Sequence, residues 1–199
     1  AGSFSVSAWM KSSNQNNYAV ALSKNNGSNG FSMQMRKVGN KFAFNLNDGS
    51  WSAAEFTVSQ IDNDEWYHVV GTFDGSTIKI YVNGASGTSN SSSTPISTSA
   101  SFFIGKETNG NNFNGQISNV SIFNEDLSQD DVLNLYNNGV PQNLNNFRIT
   151  PIAWWPMDEH SSYYDGTDWV VRDLINGNDG DGANTGNVDD LVGSAPGSE

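Results

Sequence analysis

The chain has 199 residues, of which 36% are hydrophobic and 12% aromatic, enough to bury one sizeable core but hardly two. Nine Lys and Arg against 21 Asp and Glu give a formal charge of −12, which makes nucleic acid and anionic membranes poor partners. With no cysteine there is no disulfide framework, no thiolate metal site and no Cys nucleophile. No apolar run of about 18 residues exists, so no membrane insertion is expected, and the opening AGSFSVSAWM lacks the basic and apolar regions of a signal peptide. The first residue is not Met and the chain enters directly into a strand pattern, which reads as a processed part or fragment of a longer polypeptide.

Short period-two runs dominate, as half-buried strands require. Phe4, Val6, Ala8 and Met10 share one face, followed by Phe31, Met33 and Met35, and by Phe42, Phe44 and Leu46. The pattern returns in Trp66, His68, Val70 and Thr72, in Ile78, Ile80 and Val82, in Phe102 and Ile104, and in Val120 and Ile122. Turn pairs such as Asn26-Gly27, Asp48-Gly49, Asp74-Gly75 and Asn83-Gly84 separate them. Residues 84–101 are rich in Ser and Thr and read as a long solvated loop. Ser128 and Asp131 form a capping box before Val132, Leu133, Leu135 and Tyr136, predicting a helix of about three turns near residues 129–138 with Gly139 as its C-cap. Pro141 opens a linker that returns to the apolar run of residues 152–156, and residues 182–199 read as an extended polar tail. The fold class expected is all-β, a two-sheet antiparallel sandwich with one short helix.

The segments FSVSAWMK, WYHVVGTFDGSTIKIYVNG and FNGQISNVSIFNEDLSQDDVLNLYNNG, in this order, resemble laminin-G-like, concanavalin-type jelly-roll domains over residues 4–139. The resemblance implies two antiparallel sheets packed face to face. WWPMDEHSS with VVRDLINGNDGDGAN resembles the segment with which such domains usually begin, yet here it comes last. Two organisations follow. Residues 1–181 form a single jelly roll to which residues 152–180 supply a permuted strand, or residues 152–180 open a following domain that is cut short. The stretch NFRITPIAWWPMDE also resembles large structural proteins of tailed marine phages, so the location expected is a virion or the extracellular space.

Glucanases of this fold carry paired glutamates in a Glu-x-Asp-x-x-Glu spacing, so that both face the sugar. None of Glu55, Glu65, Glu107, Glu125, Glu159 and Glu199 stands in that spacing, which argues against an enzyme of that type. A Ser-His-Asp site would need His68, which alternates on a strand and reads as packed, or His160, which lies in an acidic loop.

Asp158, Glu159, Asp173, Asn176, Asn178 and Asp179 supply hard oxygens near turns, the donor type that Ca²⁺ coordinates, and related jelly rolls often carry this ion. The same residues also suit Asx-turns without an ion, and the spacing is not that of an EF-hand. Asp62, Asp64 and Glu65 form a second acidic cluster that reads as the end of a loop. For sugar, Trp51 in the turn NDGSWS and Tyr18 beside Asn14, Asn16 and Asn17 join aromatic platforms to amides, with Tyr163 and Tyr164 as weaker candidates. Asn26, Asn90 and Asn119 open formal glycosylation sequons.

The first function expected is a non-catalytic structural or adhesion module on a phage virion, packing on assembly subunits or identical neighbours and binding surface glycans. The alternative is a carbohydrate-binding module of a secreted bacterial protein.

Overall fold

Alternation sorts the apolar side chains onto the inner faces of two antiparallel sheets. The computed structural model describes residues 2–12, 18–63, 65–92, 99–108 and 110–182. The expected tail lies, from residue 183 on, outside the described residues. In chain order the strands of the two sheets are β1 Phe4–Ser12, β2 Ala19–Asn25, β3 Asn29–Arg36, β4 Lys41–Asp48, β5 Trp51–Thr57, β6 Tyr67–Phe73, β7 Thr77–Val82, β8 Ala85–Ser91, β9 Phe102–Ile104 and β10 Gly115–Phe123. Helix α1, Gln129–Tyr136, follows, then β11 Ala153–Trp155 and a small ribbon of β12 Ser162–Tyr164, β13 Trp169–Val171 and β14 Gly180–Asp181.

The six-stranded sheet runs β11-β10-β1-β6-β7-β8 and the five-stranded sheet β5-β4-β3-β2-β9. Between them lie Val6, Ala8 and Met10, Phe31, Met33 and Met35, Phe42, Phe44 and Leu46, and Ile78, Ile80 and Val82, all buried. The sheets approach so closely that a Cβ on Gly71 would sit 2.3 Å from the Phe44 ring. The all-β sandwich with one short helix is therefore what the sequence led us to expect.

Three local expectations are corrected. The first is the orientation of β6. Tyr67, Val69 and Phe73 pack in or against the inter-sheet core, whereas His68 and Val70 face the opposite side. That side is covered by α1 and the following segment, forming a second core of Val70, Tyr81, Phe123, Leu127, Val132, Leu135, Leu144, Ile149 and Trp154. A strand buried on both faces carries no clean alternation, which is why Tyr67-His-Val-Val could be read in either register.

Second, residues 84–101 are not all loop, because Ala85–Ser91 pairs with β7 as an edge strand. All its side chains are exposed, so no apolar pattern marked it. Backbone pairing and side-chain bonds hold it: Thr88 Oγ1 accepts from the Glu55 N–H at 2.8 Å, and Asn90 Nδ2 donates to the Ala53 carbonyl at 3.3 Å. These bonds tie the edges of the two sheets together and blunt both against pairing with other chains.

Third, α1 is eight residues long and ends at Tyr136, and Asn137, with a left-handed φ of 46°, is its C-cap in place of Gly139. The capping box is present as expected, with Ser128 and Asp131 each bonding the other's backbone N–H. Burial would raise the Asp131 carboxyl, but the bonds from Ser128 and Arg148 and the Arg148 charge outweigh it and hold the group below its usual value.

Beyond the helix, β11 pairs antiparallel with β10 through Val120–Trp155 and Ile122–Ala153, which brings Trp154 and Trp155 into the sandwich as buried residues. Phe102 of β9 stacks on Trp155 with ring centroids 5.3 Å apart, joining the sheets at this second side.

Candidate functional site

With Phe42, Phe44 and Leu46 turned inward, the register places Lys41, Ala43, Asn45 and Asn47 on the outer face of the five-stranded sheet. Opposite them on β5 stand Thr57, Glu55, Ala53 and Trp51, and on β3 Arg36, Gln34, Ser32 and Gly30. The centre of this face is a connected polar network. Arg36 donates to Gln34 Oε1 at 2.8 Å, Glu55 Oε1 at 3.1 Å and Asn45 Oδ1 at 3.0 Å. Lys41 holds the other Glu55 oxygen at 2.8 Å. Gln34 and Asn45 both donate to Ser32 Oγ, at 3.1 and 3.3 Å. Ser32, Gln34, Asn45 and Asn47 are buried, while Arg36 and Glu55 are half-buried.

The two aromatic candidates occupy opposite ends of this face. Trp51 is 52% exposed and stands directly across from Asn47, whose amide donates to Gly27 O and accepts from the Gly49 N–H. Tyr18 is 54% exposed beside the start of β2, with the Arg36 guanidinium 5.4 Å from its ring centroid. Six strand residues and three strand spacings separate them, more than roughly 20 Å, so they are two platforms and not one. The third sugar candidate, Asn17, lies outside the described residues. Tyr163 and Tyr164 are exposed on β12, with Arg172 over the Tyr163 ring at 4.9 Å.

The network residues went unremarked in the sequence, although the alternation that exposed Phe31, Met33 and Met35 implied their outward partners Ser32, Gln34 and Arg36. What no pattern could give is their mutual bonding, which depends on strand register.

The acidic residues near the end of the described chain are brought together only in part. Asp173 is buried and its carboxylate is saturated: Oδ1 accepts from Trp154 N–H at 2.9 Å and Ile175 N–H at 3.0 Å, and Oδ2 from Asn178 N–H at 3.1 Å and Asn178 Nδ2 at 2.8 Å. Burial pushes this carboxyl up, but these donors outweigh it and hold it below the usual range. Asp179 Oδ1 accepts from the Asp173 N–H at 2.9 Å. Asp158 folds its own turn, accepting from His160 and Ser161 N–H at 3.0 and 2.7 Å, while exposed Glu159 lies 3.6 Å from His160 Nε2. Asn176 donates to Ile152 O. Among the described residues no three His, Cys, Asp or Glu side chains gather as a metal site. A Ca²⁺ ion would have to displace the four N–H donors on Asp173, so the arrangement fits an edge clamp for β11 better than an oxygen cage. Of the second acidic cluster, Asp62 accepts from Gln60 Nε2, and Asp64 lies outside the described residues.

His68 is buried against Trp9 and Tyr136, at centroid distances of 5.0 and 6.0 Å, and its Nε2 lies 2.9 Å from Ser7 Oγ. Nδ1 has no partner, and Ser7 is 1% exposed, so no acid orients the ring and no substrate reaches the hydroxyl. Desolvation lowers the His68 pKa to about 3.

Comparison with known proteins places this architecture. No curated protein matches the sequence. Among solved structures, a candidate carbohydrate binding protein from Bacteroides ovatus superposes with a TM-score of 0.66 at 17% identity, over 87% of this chain and 49% of that one. The chain thus spans about half the length of that protein. Domain 4 of AbnA, a GH43 extracellular arabinanase from Geobacillus stearothermophilus in complex with arabinotriose, gives 0.60 at 21% identity over 68% of each chain. A heptameric SAP-like pentraxin from Limulus polyphemus gives 0.55 at 19%, over 67% of this chain and 69% of that one. At these identities the likenesses speak for the fold. In sequence, a laminin G family described as the concanavalin A-like lectin/glucanases superfamily matches residues 1–133. The match covers well over half of the 199 residues and agrees with the two-sheet antiparallel sandwich, and the chain belongs to that superfamily.

Proposed function

We propose that this chain is a non-catalytic glycan-binding module of an extracellular protein, with Trp51 as its stacking platform. The observation that carries the reading is the half-exposed Trp51 indole at the rim of a face otherwise built from amides, hydroxyls and a guanidinium. An apolar ring beside planar polar groups matches the two sides of a pyranose. The formal charge of −12 favours a neutral glycan over a sulfated or uronic one. Absence of the paired-glutamate spacing and the sealed, acid-free Ser7–His68 pair support binding without turnover. The named neighbours that bind or are assigned to bind carbohydrate add support. No helix among the described residues is long and apolar enough to cross a membrane.

Affinity electrophoresis through gels containing neutral polysaccharides tests the proposal. Covering about 60 Å² of indole at ~25 cal/mol/Å² corresponds to about 1.5 kcal/mol, so Trp51→Ala should weaken retention roughly tenfold. A wild-type chain retained by no neutral polysaccharide, or retention unchanged in Trp51→Ala, would overturn it.

A further inference from the structure

A recess of about 160 Å³ opens on the far side of the molecule, where the outer layer meets the middle of β10 and the end of β11. Asn119, Gln142, Asn143, Trp154, Pro156 and Asp158 line it. Its backbone is unusual on two sides. Asn119 takes a left-handed φ of 48° at the bulge where β10 slips its register against β1. Met157, between two lining residues, has a φ of 60°, which a long L side chain rarely adopts. The two segments are tied by the Asn119 N–H, which donates to Pro156 O at 3.0 Å, and by Ser118 Oγ, which donates to the same oxygen at 3.0 Å. Bulges and left-handed non-glycine residues cost stability and collect where the chain aims side chains at a ligand.

The lining has a definite chemistry. Trp154 and the two prolines Pro141 and Pro156 give apolar walls, while amides and one carboxylate give the polar ones. Several polar atoms here are already committed: Asn119 Oδ1 takes the Trp154 indole N–H at 3.4 Å, Gln142 Nε2 donates to Asn134 O, and Asp158 Oδ1 closes its own turn. Among the described residues, Gln142 Oε1, Asn143 Nδ2 and Asp158 Oδ2 have no hydrogen-bond partner. The volume equals about five waters, below the roughly 300 Å³ of an ordinary drug-sized site. It therefore has room for one small polyhydroxylated ring.

We propose that this recess is a second binding site, separate from the Trp51 face, that takes a single neutral sugar residue, with Gln142, Asn143 and Asp158 bonding its hydroxyls. A ligand of about twelve heavy atoms held by a few hydrogen bonds binds weakly, in the millimolar range.

The test is an NMR titration of the isotope-labelled full chain with D-glucose, D-galactose and N-acetyl-D-glucosamine in turn. The expected result is saturable shifts, for at least one sugar, at Asn119, Gln142 and Asn143 and at the Trp154 indole N–H. Combined Gln142→Ala and Asn143→Ala, at side chains outside both cores, should weaken that binding at least fivefold, while Trp51→Ala leaves it unchanged. Shifts confined to the Trp51 face, or no saturable shift at the recess with any of the three, would overturn the proposal. Because the polysaccharide gels read the Trp51 face and this titration reads the recess, either proposal can fail alone.

Discussion

The outer faces of the two sheets have been put to opposite uses. On the six-stranded sheet, α1 and the segment after it close over Val70, Tyr81 and Phe123 and create a second core, which also seals His68 and Ser7 from water. On the five-stranded sheet the corresponding face carries a polar network with Trp51 and Tyr18 at its rims, and α1 lies on the other side of the sandwich. The difference teaches that outward side chains of a sandwich strand cannot be assigned from alternation alone. What packs above them decides whether they are core or surface.

Loosening the covered face should have the largest effect. Leu135 is 4% exposed beneath α1, so Leu135→Ala removes a buried side chain and leaves a cavity, at about 3 kcal/mol. Differential scanning calorimetry should show a midpoint lowered by roughly 6–12 °C for a chain of this size. A shift below about 2 °C would mean that the outer layer is not part of the cooperative unit.

The same face predicts an acid response. His68 has an ordinary pKa of 6.5 that burial lowers to about 3, so between these values the unfolded chain holds a proton that the folded chain refuses. Stability contributed by neutral His68 is thus intact above pH 6.5 and lost progressively toward pH 3, by about 2 kcal/mol at pH 5. The buried carboxyls of Asp131 and Asp173 are held below 3.8, so their losses come at lower pH and leave the window from 6.5 to about 4.5 to the histidine. Urea unfolding at pH 7 and pH 5 measures this, and His68→Phe should flatten the dependence. An equal slope in that variant would assign the acid response elsewhere.

These two faces also mark how far the sequence could be read. Much of the inter-sheet core was legible, because Phe4 to Met10, Phe31 to Met35 and Phe42 to Leu46 repeat every second residue, whereas the small or unpatterned Ala21, Leu22 and Ala54 of β2 and β5 were not singled out. The helix start was equally plain from Ser128 and Asp131, since a capping box is a local device. That His68 is packed was legible too, but not the face of β6 it takes, because a strand buried on both sides loses its period. Strand β8 was hidden for the opposite reason, as none of its side chains is buried. At the candidate site, Trp51 and Tyr18 were visible as residues, but their separation across the sheet depends on a register that only the paired strands define. The acidic run of Asp173, Asn178 and Asp179 suited a cation in composition, whereas its oxygens are turned toward backbone N–H groups beside β11.

On the polar face, the Arg36 fork tests whether the network holds the sheet or only decorates it. Arg36→Lys keeps the charge and the contact with Glu55 but cannot reach Gln34 and Asn45 together, leaving their buried oxygens without a donor. The expected cost is about 1 kcal/mol, read from the urea midpoint. No change would mean that water replaces the guanidinium freely.

The smallest stability effect is expected at Trp51, where the contrast between the faces is sharpest. Its ring has no aromatic or cation partner among the described residues and is half exposed, so Trp51→Ala should move the unfolding free energy by no more than about 0.5 kcal/mol. The same substitution is expected to cost roughly tenfold in glycan retention. A loss of glycan retention without a loss of stability would assign the exposed indole to the binding proposed for this face rather than to the fold. Should Trp51→Ala instead destabilise the chain as much as Leu135→Ala, the indole would be covering the sandwich edge, and the two outer faces would differ in polarity but not in purpose.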